Sequence, residues 1–443
     1  MILSVIVPVY NGETYLKRCI DSIVTSCDYA FKVTNMPLDT DNVLMGESVN
    51  KSVNESIKLD QFEIIIVNDG STDDTSKVCE TIKGERQNIK IITLTDEGVS
   101  VARNKGMAAA SGEYISFVDA DDVVSEDMFR NLMAVANQED ADIVGCGFYE
   151  WSDEAQIHSK IDHNLDVSKA VDVENDDASI EYIKTSVTVI DEEILNQNNI
   201  TANTGINIYN TPVYNVYNKD EFISKELLKG NTRCWSKIYR ARLLKDNDIQ
   251  FEPGLSIGED MLFLANAVNS CENKDGNNDD GITKNIGNTT GVICELTTYK
   301  GYGYYKNPLG AINRPFTKEY MDQIYCWEKL SELLNVTLSS DDTDASGIML
   351  YEYDDIRKIL NSRYIVALML VASKMAVSGQ RLVKLLNQGM SDENDADYIS
   401  IIHDKLIKAL KNPYDLDVGY KIKTKIFKIS PALYLKLYGS WKK

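Results

Sequence analysis

The sequence predicts an α/β protein built on a doubly wound, mostly parallel sheet with flanking helices, followed by a mainly helical carboxyl-terminal region. Three observations carry that prediction. Apolar, β-branched runs of strand length recur at residues 3–7, 64–67, 89–94 and 114–118, as in strands buried on both faces. Segments of helical period separate them. Turns rich in Asn, Asp and Gly follow the strand ends, where open α/β sheets form their ligand crevice.

Taken in order, residues 3–7 end at Pro8-Val9-Tyr10-Asn11-Gly12-Glu13, and Leu16, Cys19, Ile20 and Ile23 then repeat at helical spacing. Residues 28–60 are polar and weakly periodic, which predicts a surface insertion. The strand at 64–67 runs into Asn68-Asp69-Gly70-Ser71-Thr72-Asp73-Asp74, a turn able to cap the next helix. Residues 99–110 read as a small-residue helix closed by Gly112. Ser125 is expected to cap a helix that carries Phe129, Leu132, Met133 and Ala136 on one face, and residues 143–148 form a further strand. Residues 151–230 are acid-rich, Asn-rich and weakly patterned. Residues 234–245 read as a helix, Glu259-Asp260 open another, 272–290 form a polar loop, and 291–305 are strand-like and aromatic. Beyond Thr317 the pattern is helical. Three parts result: 1–150, 151–315 and 316–443.

Composition narrows the function. At 443 residues the chain can bury a large core, and a formal charge of −22 argues against a nucleic-acid partner. Eight cysteines show no C-x-x-C spacing and several lie in apolar stretches, so they read as reduced core residues of a cytoplasmic protein. Three scattered histidines argue against a His-based metal site. The apolar residues 1–7 break at Pro8, and the later run 364–371 is short, so no membrane-spanning segment is expected.

The chemistry concentrates where residues 114–118 end in Asp119-Ala120-Asp121-Asp122. Three carboxylates within four residues repel one another unless a cation sits among them, and a hard divalent ion bound to a diphosphate fits. A solvated turn with one Asp capping the next helix is the plainer alternative. Asp69 also follows a strand, so it shares a rim with this cluster.

Five stretches resemble, in order, the motifs of family-2 glycosyltransferases with the GT-A fold. They are Val5-Ile-Val-Pro-Val-Tyr-Asn-Gly-Glu-Thr-Tyr-Leu16, Ile66-Val-Asn-Asp-Gly-Ser-Thr-Asp73, Ala102-Arg-Asn104, Gly112-Glu-Tyr-Ile-Ser-Phe-Val-Asp-Ala-Asp-Asp122 and Gly258-Glu-Asp260. The likeness is to bacterial enzymes of surface-polysaccharide synthesis. It implies that 1–150 is a nucleotide-sugar-binding half, 151–315 an acceptor and catalytic half with polar insertions, and 316–443 a helical region. It also implies roles. Pro8, Tyr10 and Glu13 would line the base pocket, and Asp69 would accept a hydrogen bond from the base, where a carboxylate suits the imide N–H of uracil. Arg103 would face the diphosphate. Asp119 and Ala120 would meet the ribose, and Asp121, helped by Asp119, would ligate Mn²⁺ or Mg²⁺. Asp260 would be the general base, with Glu259 the second choice.

The implied reaction moves a sugar with inversion from a UDP-sugar to a glycan or lipid-linked acceptor. A sugar-phosphate nucleotidyltransferase would need a glycine-rich basic loop after the first strand, and Pro8-Val9-Tyr10-Asn11 offers none. A catalytically degenerate assembly partner is the non-enzymatic alternative. One departure touches the acceptor side: relatives often carry an aromatic-Arg stretch followed by Ser where Tyr304-Tyr305-Lys306-Asn307-Pro308-Leu309-Gly310 stands. Residues 418–443 hold seven lysines and no acid among Ile422, Ile426, Phe427, Leu433, Leu437 and Trp441. Either this tail contacts the anionic inner face of a membrane, or it docks on the domain with its lysines in water.

Overall fold

The computed structural model describes residues 1–33, 61–152, 212–271, 290–307, 310, 315–336, 351–378 and 393–441, the side chains of 351–354, 393–397 and 441 excepted. The chain divides into two units, Met1–Asn35, Ser52–Glu150 and Pro212–Lys443 forming the first, and Met36–Lys51 with Trp151–Thr211 the second. Nearly all of the second unit, and so most of the two expected insertions, lies outside the described residues, as do 272–289 and Pro308-Leu309.

Strand β1 (Leu3–Val9) is buried along its whole length because it lies between two parallel neighbours. Helix α1 (Leu16–Val33) follows, then β2 (Phe62–Asn68), α2 (Thr75–Glu85), β3 (Ile89–Thr93), α3 (Val99–Ala109) and β4 (Tyr114–Phe117). Leu3 pairs with both Phe62 and Tyr114, and Ile64 with Ile89, so β3-β2-β1-β4 are parallel and in one register. Their carboxyl ends therefore open on one rim. The runs of β1, β2 and β4 became strands buried along their whole length, with α2 and α3 packed on the sheet, while the edge strand β3 is only partly buried.

After β4 the sheet turns mixed. The two-residue β5 (Val123–Val124), α4 (Met128–Glu139), β6 (Ile143–Trp151), β7 (Tyr214–Tyr217) and α5 (Lys219–Lys225) lead to β8 (Lys237–Arg240) and α6 (Ala241–Asp246). The sheet order is β3-β2-β1-β4-β8-β6-β9-β5, with β7 pairing β9 (Ile293–Tyr305). Helix α7 (Glu259–Asn269) precedes β9, and α8 (Asp322–Leu333), α9 (Tyr351–Ser378), α10 (Glu393–Ala409), α11 (Val418–Ile429) and α12 (Pro431–Trp441) complete the helical region.

Several sequence expectations are corrected. Residues 234–245 are not one helix: β8 inserts antiparallel between β4 and β6, and only Ala241–Asp246 is helical. Lys237 is fully buried there, its ammonium donating to Asn231 at 2.8 Å, so a charged residue masked a core strand. Helix α1 continues through Asp28 to Val33, past the expected start of the insertion. Residues 214–229 are folded, with a capping box of Asn218 and Glu221 opening α5. Ser125 does not cap α4 through its side chain; its carbonyl accepts from Met128, and Asp127 occupies the cap position. All eight cysteines are buried and free.

Helix α9 has the length and composition of a membrane-crossing helix, yet Ile365, Leu368, Met369 and Met375 are buried. They form the second core of the molecule together with residues of α8, α10, α11 and α12.

Candidate active site

The rim is built by loops that hold one another. Asn11 takes a left-handed conformation at φ 52°, and its side-chain oxygen accepts from Thr72 N at 2.8 Å. Asn11 N donates to Ser71 Oγ at 2.9 Å, and Gly12 N to Thr75 Oγ1 at 2.8 Å. Glu13 caps the opposite loop, accepting from Asp74 N at 2.8 Å. The ends of β1 and β2 are thereby fixed as one edge. Gly70 closes this edge at φ 72°, where an added Cβ would lie 2.6 Å from Asp96 N.

A cleft opens against that edge. Pro8, Tyr10, Asp69, Asp119, Ala120 and Asp121 line it, with Asn11, Tyr15, Val99 and Asn307. Tyr10 is half exposed, a free aromatic face beside a strand end. Asp69 is buried, and its two oxygens accept from Glu97 N and Gly98 N, each at 2.8 Å. Each oxygen keeps a second lone pair, so the residue is oriented rather than exhausted.

The acidic cluster is split three ways. Asp119 pairs with Arg103 Nη2 at 2.9 Å. Asp121 accepts from Asn307 Nδ2 at 3.0 Å. Asp122 faces the other way, accepting from Tyr302 Oη at 2.6 Å and Tyr305 N at 2.7 Å, and thereby ties the turn to β9. Burial, then Asp119 and Asp121, push the Asp122 carboxyl up to about 9. It is an anchor of the turn, and its two neighbours face the cleft.

Arg103 joins this wall to α7. Its Nη1 donates to Glu259 and to Asp260, both at 2.9 Å, while Nη2 serves Asp119. The guanidinium is 3% exposed and lies 5.0 Å from the Phe251 ring centre. Gly258, at φ 92°, precedes α7, so Glu259 and Asp260 occupy its first turn, where the helix dipole favours anions. Asp260 Oδ1 also accepts from Cys234 Sγ at 3.1 Å. Burial, with Asp260 beside it, raises the Glu259 carboxyl to about 7. Burial raises Asp119 as well, against the pull of Arg103.

Sequence reasoning therefore brought Pro8, Tyr10, Asp69, Asp119, Ala120 and Asp121 to one cleft. Four expected site residues are not among the cleft-lining residues: Glu259 and Asp260, in the first turn of α7, and Glu13 and Arg103. Glu13 was expected to line the base pocket; it caps α2's approach instead and is not on the cleft wall. Arg103 was expected to face the diphosphate; its Nη1 and Nη2 donate instead to Glu259, Asp260 and the cleft-lining Asp119. Asn307 and Tyr15 were missed, because a lone Asn after a strand and a Tyr before a helix carry no pattern.

The cleft chemistry accommodates a divalent ion. Asp121 and Asp119 supply hard oxygen donors, and among the described residues no three His, Cys, Asp or Glu side chains converge as a dedicated metal cage. One or two carboxylates suffice where phosphate oxygens complete the shell.

Comparison with known proteins points to one family. The family model "Glycosyl transferase family 2" matches residues 45–187. Over those residues the chain is similar to family-2 glycosyltransferases. The match begins inside the insertion, so it leaves out β1, which the sheet places at its centre, and it stops short of α7. EpsJ of Bacillus subtilis is 35% identical over 157 residues, 35% of this chain and 37% of that protein. Glycosyltransferase GlyA of Streptococcus pneumoniae is 27% identical over 259 residues, 58% of this chain and 27% of that protein. The matched segments thus span roughly a third of those relatives. A crystal structure of S. aureus TarS 1-349 in complex with UDP-GlcNAc has a TM-score of 0.51 at 16% identity, covering 99% of this chain and 91% of that one. That likeness shows a shared fold of mixed, mostly parallel sheet with a helical carboxyl-terminal region.

Proposed function

We propose that this chain is a metal-dependent inverting glycosyltransferase that moves a sugar from a UDP-sugar to a hydroxyl of a growing surface glycan or lipid-linked acceptor. The observation that carries the proposal is the Arg103 link, which ties Asp119 on the cleft wall to Asp260 at the start of α7. The bound UDP-GlcNAc in the TarS fragment and the glycosyltransferase names of EpsJ and GlyA support the donor class and the reaction type.

In this reading Tyr10 and Pro8 receive the base, Asp69 accepts its N–H, and Asp119 orients the ribose. Asp121 would hold Mn²⁺ or Mg²⁺, which would offset the negative charge of the diphosphate leaving group. The acceptor oxygen forms a bond to the anomeric carbon as the bond to the diphosphate oxygen breaks, and the hydroxyl proton passes to Asp260. Oδ1 of Asp260 is held by Arg103 and Cys234. Oδ2 has no hydrogen-bond partner among the described residues and is not sealed from solvent. It is the oxygen available to take a proton.

The test is thermal stabilisation by UDP with Mn²⁺ and with chelator, followed by turnover of UDP-sugars. At about a hundred times the dissociation constant, the gain with metal is expected to be about 2.7 kcal/mol. Asp121→Ala should abolish most of it. Equal stabilisation with chelator rejects the metal assignment, and no response to any UDP-sugar rejects the transferase.

A further inference from the structure

We infer that the outward faces of α11 and α12 dock the protein on an anionic lipid surface. The sequence left membrane contact and docking on the domain as alternatives; the structure shows that the tail has a separate face for each. In α11, Thr424 and Phe427 are buried, and in α12 Tyr434 and Leu435 are buried, with Tyr434 Oη 2.8 Å from Ser373 Oγ of α9. Docking is thus satisfied by one side of each helix.

The other side is aliphatic where a solvated helix would be polar. Val418, Ile422 and Ile429 are 72%, 55% and 74% exposed. At 100° per residue they fall within about 40° of one another on the helix circumference. Lys421, Lys425 and Lys428 flank that ridge along one border. Helix α12 repeats the division, exposing Leu433 and Leu437 beside Lys436. Single exposed aliphatics are ordinary, but three on one face of α11 and two more on one face of α12, each set at helical spacing, are not.

Charge decides the occupant. Residues 418–443 carry seven lysines and no acid in a chain of net −22. The acids at the edge of that stretch are Asp417, which caps α11 by accepting from Tyr420 N at 2.7 Å, and Asp415, 3.6 Å from Lys421 with both side chains exposed. Lys423 leans over the Tyr420 and Tyr438 rings, away from ion pairing. Aliphatics that enter the acyl boundary, bordered by ammonium groups at headgroup level, match a bilayer rich in anionic lipid. The acidic bulk of the protein is repelled by the same surface, so the tail alone faces it. A second copy would bring lysines against lysines.

The experiment is flotation of the full chain with phosphatidylcholine vesicles, with and without phosphatidylglycerol. Binding is expected only with phosphatidylglycerol, and it should weaken as salt is raised. Each lysine near the surface contributes about fivefold in partitioning. K425E/K428E should therefore lower binding by tenfold or more in order of magnitude, and I422E/I429E should remove it. Circular dichroism and a cooperative thermal melt check that the variants are folded; should the glutamates unfold the tail, I422A/I429A and K425Q/K428Q give milder, graded losses. Absence of binding to the anionic vesicles overturns the inference, as does binding that all these variants leave unchanged. A dimer in sedimentation that I422E/I429E dissociates, without vesicle binding, assigns the ridge to a second copy instead. The vesicle result is independent of whether the transferase reading holds.

Discussion

Glu63 and Glu259 are both buried carboxylates beside the central strands, and they depart from ordinary glutamate behaviour in opposite directions. Glu63, on β2, accepts from Ser4 Oγ, Ser111 N and Ser111 Oγ, each at 2.7 Å, and pairs with Lys90 at 2.6 Å. Burial opposes its charge, but Lys90 and the serine donors outweigh burial and hold it down at about 2. Glu259 shares one guanidinium with Asp260 and Asp119, and burial with the adjacent Asp260 carries it up to about 7. One region surrounds a single acid with donors. The other gathers three acids around one cation. The first arrangement locks a sheet to the loop at Ser111-Gly112; the second leaves negative charge unsettled, as a site that must take up a proton requires.

If that contrast is functional, Asp260→Asn gives the largest effect. The amide keeps the shape and still accepts from Arg103 but cannot hold a proton, so transfer should fall by roughly 10²–10⁴-fold. UDP affinity and the melting temperature should change little. Turnover beside UDP titration measures both. A variant that melts early but transfers normally would make Asp260 a second Glu63.

Arg103→Met comes next. It leaves three carboxylates facing one another without their cation, and breaking a buried pair in this way typically costs about 3–5 kcal/mol. Urea unfolding should show the loss growing as pH rises and the acids ionise. A loss that is small and independent of pH would mean that solvent already screens the cluster. Glu63→Gln should cost less, about 2 kcal/mol, because the amide keeps an acceptor for the serines and loses mainly the charge that Lys90 and the donors favour. A larger loss for Glu63→Gln than for Arg103→Met would reverse the ranking drawn here.

How much of this was legible follows from what each signal depends on. The parallel strands were readable because burial on both faces leaves an uninterrupted apolar run, as in Ile64-Ile65-Ile66-Val67. The cleft residues Asp69, Asp119 and Asp121 were readable because strand ends place them on one rim. Strand β8 was not: four residues cannot distinguish a period of two from 3.6, and Lys237 and Arg240 disguise their burial. The partners of Arg103 lie 16 to 157 positions away, so its pairing with carboxylates is set by tertiary contact alone. Likewise the tail's lysines were plain in the sequence. Its division into a docked face and a free one needed α9 as the reference surface.

The closest test of the contrast lies in the pH dependence of stability. Burial first, and Asp260 second, raise Glu259 from 4.5 to about 7 on folding. Between those values the folded protein retains a proton that the unfolded chain has released. The unfolded state then binds fewer protons, so stability falls as pH rises through that window. Glu63 works in the other sense: its folded value is about 2, so its contribution is complete above 4.5 and is lost as pH falls toward 2. Glu259→Gln cannot ionise, and its amide oxygen can still accept from Arg103. The variant should match the parent below the window and gain on it steadily across the window, flattening the decline. Urea midpoints measured from about pH 4.5 to about pH 7 would show it. Parallel curves for parent and variant would mean that Arg103 neutralises Glu259 as fully as Lys90 and the serines neutralise Glu63.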